Sequence, residues 1–374
     1  MKEKNTNVLD YLEWRGDLSF EQDKFNEIDA CILARFSYLS LKNIVDMSGT
    51  KVSIKDAYAK YDETKDSRAV YWKDDPALFK LMSESNRFKD LNLLYHETKN
   101  NDDEMEQFSA ITIELNENSY YLSFRGTDNT INGWKEDLLM SFDDKVSSQQ
   151  DALDYIQQVS SLIKGDIYIG GHSKGGNLSI YTSLFCNSDA AKRIKGVYSF
   201  DGPGLHKNVL KEIKNTDVIP TIINYIPQSS IFGKMLSHKE QSITVYSDAT
   251  GALQHDIYSW TVMQKSFNHL PSETATSRIF DQAFHDYLDH LSKKEREDVV
   301  EIVFEIVDSC DAKTMDDLTK HLLTSFPKIM GKLSHLDDEE GKALKEAFIV
   351  LESSFKQGIE EEVKNYLSQD EEKQ

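Results

Sequence analysis

Gly165-Asp166-Ile167-Tyr168-Ile169-Gly170-Gly171-His172-Ser173-Lys174-Gly175-Gly176-Asn177 decides how this 374-residue chain is read. A short β-type apolar run over 167–169 leads into Gly171-His172-Ser173-Lys174-Gly175, a G-x-S-x-G element, and the stretch 177–185 continues with helical character. Strand, sharp turn and helix in that order are what a nucleophile elbow requires. The turn is so tight that side chains beside the serine would collide, hence a glycine on each flank. The bend lifts the Ser173 hydroxyl clear of the sheet edge. The start of the next helix adds its dipole and the Lys174 N–H, both suited to a developing oxyanion. A bare G-x-S-x-G arises by chance in roughly one chain in ten of this length. The flanking strand and helix therefore carry the reading.

Around this point strand and helix patterns alternate. Strands are expected over 91–96, 108–115 and 120–124, separated by the turn-rich Asn100-Asn101-Asp102-Asp103 and Asn116-Glu117-Asn118. Helices over 134–142 and 151–163 precede the 167–169 strand. A strand over 197–200, a helix over 206–213 and strands over 221–226 and 242–246 follow the elbow helix. Alternation at this pitch predicts an α/β fold with a mainly parallel central sheet covered by helices on both faces. Residues 1–90 form a mostly helical lead-in, with helical spacing over 25–33, 56–59 and 77–82. After Trp260 the composition shifts. Pro271-Ser272-Glu273-Thr274 begins a polar connector, and the rest reads helical. Ser292-Lys293-Lys294-Glu295 has capping-box form, and Leu344, Phe348 and Leu351 make the stripe of the last helix. The expected division is a core over 1–270 and a helical C-terminal extension over 271–374, a candidate cap.

Composition narrows the classes. The length suffices for one large core or two smaller ones, with 39% apolar and 10% aromatic residues. A formal charge of −21 and a pI near 4.9 argue against nucleic acid and against charge-driven docking on an anionic membrane. Residues 1–7 show no signal-peptide run, and nowhere do 18 apolar residues follow one another, so no stable membrane insertion is expected. Cys31, Cys186 and Cys310 have neither metal nor redox spacing; buried thiols of a reducing, cytoplasmic protein are expected. The histidine spacings fit no metal site (His285 and His290 are i, i+5), and no cofactor is called for.

An acyl-transfer serine needs a base, a group that orients it, and oxyanion donors. Phe124-Arg125-Gly126-Thr127-Asp128 ends a strand that precedes the elbow, where an oxyanion loop belongs; an ordinary strand-end turn with a structural Arg125 is the other reading. His172 points away from the serine in an elbow and is expected to pack in the turn. His255 lies in the loop 250–256 after the last expected strand, where a doubly wound hydrolase returns its histidine. Chain order then asks for an acid between 173 and 255. Asp201, at the end of the next strand, is the first choice and Asp248 the rival. Asp217 is too remote, and Asp256 adjoins the histidine itself. A serine (Ser229 or Ser230) or a backbone carbonyl is the remaining option for orienting His255.

Three segments in order resemble the class 3 (fungal triacylglycerol) lipases: Phe124–Asp128 with Trp134 and Asp137, Gly-His-Ser-Lys-Gly-Gly, and Phe200-Asp201-Gly202-Pro203-Gly204. More closely, the chain resembles a bacterial α/β-hydrolase family of unknown function. The likeness includes Asp10-Tyr11-Leu12, Trp14 and Gly16-Asp17 near the start and Gln254-His255-Asp256 with Trp260 at the close, spanning 8–262. This resemblance implies an α/β-hydrolase fold, nucleophile Ser173, base His255 and oxyanion donors at Thr127 and Lys174. Class 3 lipases place their aspartate after the strand matching 221–226. Here Pro227-Gln228-Ser229-Ser230-Ile231-Phe232-Gly233 has no carboxylate. Loss of a triad acid costs roughly 10⁴ in turnover, so two expectations stand. One is a serine esterase or lipase-like hydrolase acting on a small-molecule ester or lipid, with Asp201 as the acid. The other is a degenerate, non-catalytic hydrolase-fold binding or scaffold protein.

Overall fold

The computed structural model describes residues 5–62, 74–101, 106–127, 146–230 and 232–273. The lead-in supplies four helices: α1 (Val8–Arg15), α2 (Glu27–Phe36), α3 (Ile54–Lys60) and α4 (Asp75–Glu84). Asn7 and Asn26 cap α1 and α2 through reciprocal capping boxes with Asp10 and Asp29. A nine-stranded sheet follows. Its members are β1 (Val52–Ser53), β2 (Asn92–Asn101), β3 (Glu106–Asn116), β4 (Ser119–Phe124), β5 (Asp166–His172), β6 (Ile194–Phe200), β7 (Ile222–Pro227), β8 (Gln241–Val245) and, past the β9 (Val262–Met263) and β10 (Ser266–Phe267) hairpin, β11 (His269–Leu270). Strands β4 to β8 pair in parallel and in chain order. This parallel centre is extended by antiparallel β3, β2 and β1 on one side and β11 on the other. The architecture is that of an α/β-hydrolase.

Strand order explains the layering. Parallel neighbours joined by right-handed crossovers put their connecting helices on one face. Helices α5 (Ser147–Leu162) and α6 (Lys174–Phe185) accordingly share a core with Leu122, Phe124, Ile167, Ile169 and Val197. The opposite face would be left bare, and the lead-in covers it. Tyr121, Ile111, Ile113, Phe200 and Tyr225 pack there with Ile28, Ile32, Leu33 and Phe36 of α2. The period-two alternation is visible along β5, where Ile167 and Ile169 face one core and Tyr168 packs against the other. The helical lead-in is thus the second layer of the sandwich.

The helix expected over 206–213 shrinks to the single turn α8 (Lys207–Leu210), α7 (Ser188–Ala191) being the short helix after α6. Beyond it the chain bends so that the Lys214 and Asn215 N–H groups donate to the Leu184 carbonyl at the end of α6. That tertiary pairing outcompetes another helical turn. The helix expected over 134–142, with Trp134 and Asp137, and the extension from 274 onward lie outside the described residues, as do Asp128 and Cys310. Cys31 and Cys186 are buried free thiols. Among the described residues, no helix is long and apolar enough to cross a membrane.

Candidate active site

The elbow forms as its sequence requires. Ser173 follows the last residue of β5 and immediately precedes α6, at φ 58° and ψ −129°. A non-glycine residue held there costs on the order of 1–3 kcal/mol and persists only where its surroundings over-determine it. They do: the Ser173 N–H donates to Phe200 O at 2.9 Å, and Gly176 N–H donates to Ser173 O at 2.8 Å. A Cβ at Gly171 would lie 2.3 Å from the Gly175 backbone, and one at Gly175 would lie 2.1 Å from Phe124 O. Neither position accepts a side chain. The end of β4 therefore presses against the elbow. Gly126 completes this contact, since a Cβ on it would meet His172 O at 2.5 Å, and half-buried Thr127 is next in the chain. Lys174 opens α6, at a position whose N–H finds no acceptor within its own helix.

His172 pairs in register with Phe200, so Ser173 and Asp201 leave adjacent parallel strands side by side. Asp201 is buried and also adopts a left-handed backbone, φ 51°, which aspartate tolerates. Its Oδ2 accepts from His255 Nδ1 at 2.6 Å. Its Oδ1 accepts from the Ser230 hydroxyl and from Gly233 N–H, the latter at 3.1 Å. The carboxylate-free stretch 227–233 thus supplies donors to an acid that comes from the preceding strand. Asp248, the rival, is exposed and accepts from Asn5, and Asp217 lies exposed in the turn Thr216–Thr221. Ser229 is held through its N–H by Gln254 Oε1, 2.9 Å away.

His255 ends the 3-10 turn Gly251–His255. Its ring lies between Phe232, 4.3 Å between centroids, and His172, 4.5 Å. The loop is pinned by buried Trp260, whose indole N–H donates to Gln254 O at 2.7 Å, and by Gln254 Nε2 donating to Ala249 O at 2.9 Å. The expected packing of His172 in the turn is present, and with it a contact the sequence did not announce. His172 Nε2 lies 2.8 Å from the carbonyl oxygen of His255, and Tyr38 OH lies 3.1 Å from its Nδ1. No group of three metal-ligating side chains occurs among the described residues.

Residues 82–305 match the model of the Mbeg1-like family. The chain belongs to the Mbeg1-like family. The match spans more than half of the chain and includes Ser173, Asp201 and His255, in keeping with the resemblance carried by the motifs. Among solved structures, the crystal structure of M37 lipase is similar over 56% of this chain and 70% of its own, at 15% identity and a TM-score of 0.37. No curated protein matches significantly.

Beneath the site of this Mbeg1-like chain lies a buried polar layer. Arg35 and Asp75 form a two-pronged pair at 2.7 and 2.9 Å, and Tyr258 OH donates to Asp75 at 2.7 Å. Asp256, beside His255, feels this layer. Burial pushes its carboxyl up to about 6, against the pull of Arg35. Between its ordinary 3.8 and about 6, the folded chain holds that proton more tightly than the unfolded one. The contribution is therefore fully present below the ordinary value and is lost as pH rises through the folded one. Asp256→Asn keeps an acceptor for the Tyr258 N–H, now 3.0 Å from Asp256 Oδ1. In urea unfolding this variant should equal the native chain at pH 4 and exceed it by roughly 1–2 kcal/mol at pH 7. A gap that is the same at both pH values would show that Asp256 is not the titrating group.

Proposed function

We propose that this protein is a serine hydrolase that cleaves carboxylic esters through an acyl-enzyme. Ser173 is the nucleophile, His255 the base and Asp201 the group that orients it; the backbone N–H groups of Thr127 and Lys174 receive the oxyanion. The observation that carries this reading is the 2.6 Å contact between Asp201 Oδ2 and His255 Nδ1, on a carboxylate leaving the strand beside that of Ser173. A carboxylate accepts, so Nδ1 carries the proton and Nε2 keeps the lone pair that a base needs. In the first half-reaction Nε2 takes the Ser173 proton as Oγ bonds to the ester carbonyl carbon, and returns it to the departing alkoxide. In the second, Nε2 takes a proton from water, whose oxygen bonds to the acyl carbon, and returns it to Ser173 Oγ as the acid leaves.

The chemistry calls for no cofactor. A small-molecule or lipid ester of the cytoplasm is the substrate class proposed, in line with the acidic composition. The alternative, a degenerate non-catalytic hydrolase-fold binding or scaffold protein, rests on the missing carboxylate over 227–233 and on the acidic tail that reads as helical; the contact of Asp201 with His255 supports the enzyme reading against the first of these. A fluorophosphonate probe, which phosphonylates activated serines, tests the proposal. The native protein should be labelled within minutes on the tryptic peptide containing Ser173, and Ser173→Ala should take no label. A folded native protein that neither labels nor hydrolyses short p-nitrophenyl esters would overturn it.

A further inference from the structure

We infer that His172 is a positioning residue, holding the base by its main chain, and that Tyr38 sets the ring nitrogen through which it does so. The catalytic half of this statement rests on the reading of Ser173 and His255 just given; the structural half does not.

The hydrogen bonds fix the protonation pattern. A carbonyl oxygen only accepts, so the 2.8 Å contact from His172 Nε2 to His255 O requires the proton on Nε2. In a neutral ring Nδ1 then bears the lone pair, and the Tyr38 hydroxyl stands 3.1 Å from it, also within 3.2 Å of His172 O. The neutral state is enforced. Burial holds His172 well below the usual histidine range, and the charges of His255 and Arg35 push the same way. His172 can thus lie against the base while His255 itself becomes imidazolium, without adding a second charge.

Geometry gives the contact its significance. His255 belongs to a short 3-10 turn in a connection, not to a long helix or a central strand. Asp201 and Phe232 fix its ring and Trp260 holds the Gln254 carbonyl beside it, which leaves the His255 carbonyl to an anchor of its own. His172 provides one, and it is the residue immediately before Ser173. The nucleophile and the base are therefore tied to each other through one side chain rooted in β5, rather than through the loops between them. Tyr38 extends the tie to the N-terminal layer: it follows α2, and the Arg35 guanidinium covers its ring at 4.1 Å. A 1 Å misplacement of a reacting group costs up to 10²-fold in rate, which sets the scale expected here.

Substitutions at 172 separate the donor from mere bulk. A Gln amide nitrogen reaches where Nε2 stands, whereas that of Asn reaches only the Nδ1 position, and Leu has no donor. His172→Gln should keep kcat for p-nitrophenyl esters within about threefold of native. His172→Leu and His172→Asn should lose roughly 30- to 100-fold in kcat, with KM little changed. Tyr38→Phe should cost about fivefold in the native background and almost nothing in His172→Leu, because Tyr38 acts through His172. A purely structural histidine would lower thermal stability without slowing the folded fraction. Hydrogen exchange over 251–256 supplies a readout independent of turnover: it should accelerate in the Leu and Asn variants and stay native-like in Gln. If the native enzyme fails to label with fluorophosphonate while exchange follows this order, the catalytic reading falls and the clamp stands. Exchange and kcat in His172→Leu within twofold of native, or a Gln variant as impaired as Leu, would overturn the inference.

Discussion

Ser173→Ala is expected to lower kcat for ester hydrolysis by about 10⁶-fold and Asp201→Asn by about 10⁴-fold, with the double variant no slower than Ser173→Ala. The second value follows from the hydrogen bonds around the carboxylate. Ser230 O–H and Gly233 N–H both point at Oδ1, so an amide at 201 turns its carbonyl toward those two donors. Its NH₂ then faces His255 Nδ1, now 2.6 Å from Oδ2, and two N–H groups cannot share that space. The imidazole is forced to present a lone pair at Nδ1 and carry its proton on Nε2, the tautomer that cannot accept from serine. Asn matches Asp in size, so the loss should appear without a comparable fall in stability. Steady-state kinetics with p-nitrophenyl butyrate, paired with thermal unfolding, measures both. An Asp201→Asn enzyme within tenfold of native would mean that Asp201 does not orient the base.

What could be read before the structure was known divides along the distance between interacting residues. The elbow is readable because its causes are local: strand, glycines, serine and the first turn of the helix occupy thirteen consecutive positions. His255 and Asp201 were readable at second hand, through chain order and the ends of expected strands, and the structure brings these two together at 2.6 Å. Other features depend on partners far away in sequence. The stretch 227–233 looked deficient because it lacks an acid, yet Ser230 and Gly233 there hold the acid of another strand. The grip of His172 on the His255 carbonyl spans 83 positions and leaves no periodic trace. The lead-in showed its helical spacing, but not that a sequential parallel sheet would need it as a second layer. The surplus turn expected over 211–213 failed for the same reason, because the pairing of 214 and 215 with Leu184 is not a local preference.

Arg35→Met should destabilise the fold by about 3–5 kcal/mol. Arg35 and Asp75 are both essentially without solvent contact. Burial works against the guanidinium charge, and Asp75 outweighs it, holding Arg35 above its usual range. The methionine fills much of the aliphatic volume but leaves the Asp75 carboxylate in the interior without its guanidinium partner, Tyr258 OH still donating to it. An unpaired buried charge, rather than the lost attraction, sets the cost. Arg35→Met combined with Asp75→Leu should therefore be more stable than Arg35→Met alone, because the pair removes both charges together. Urea unfolding with an unchanged m-value would report both differences cleanly. A double variant weaker than the single one would mean that Asp75 is held by its other contacts and not by Arg35. Because Arg35 also covers the Tyr38 ring, and Tyr38 meets His172, the single variant should slow ester hydrolysis of the folded fraction as well. The helical layer on the far face of the sheet then matters twice, once for the stability of the fold and once for where the imidazole sits.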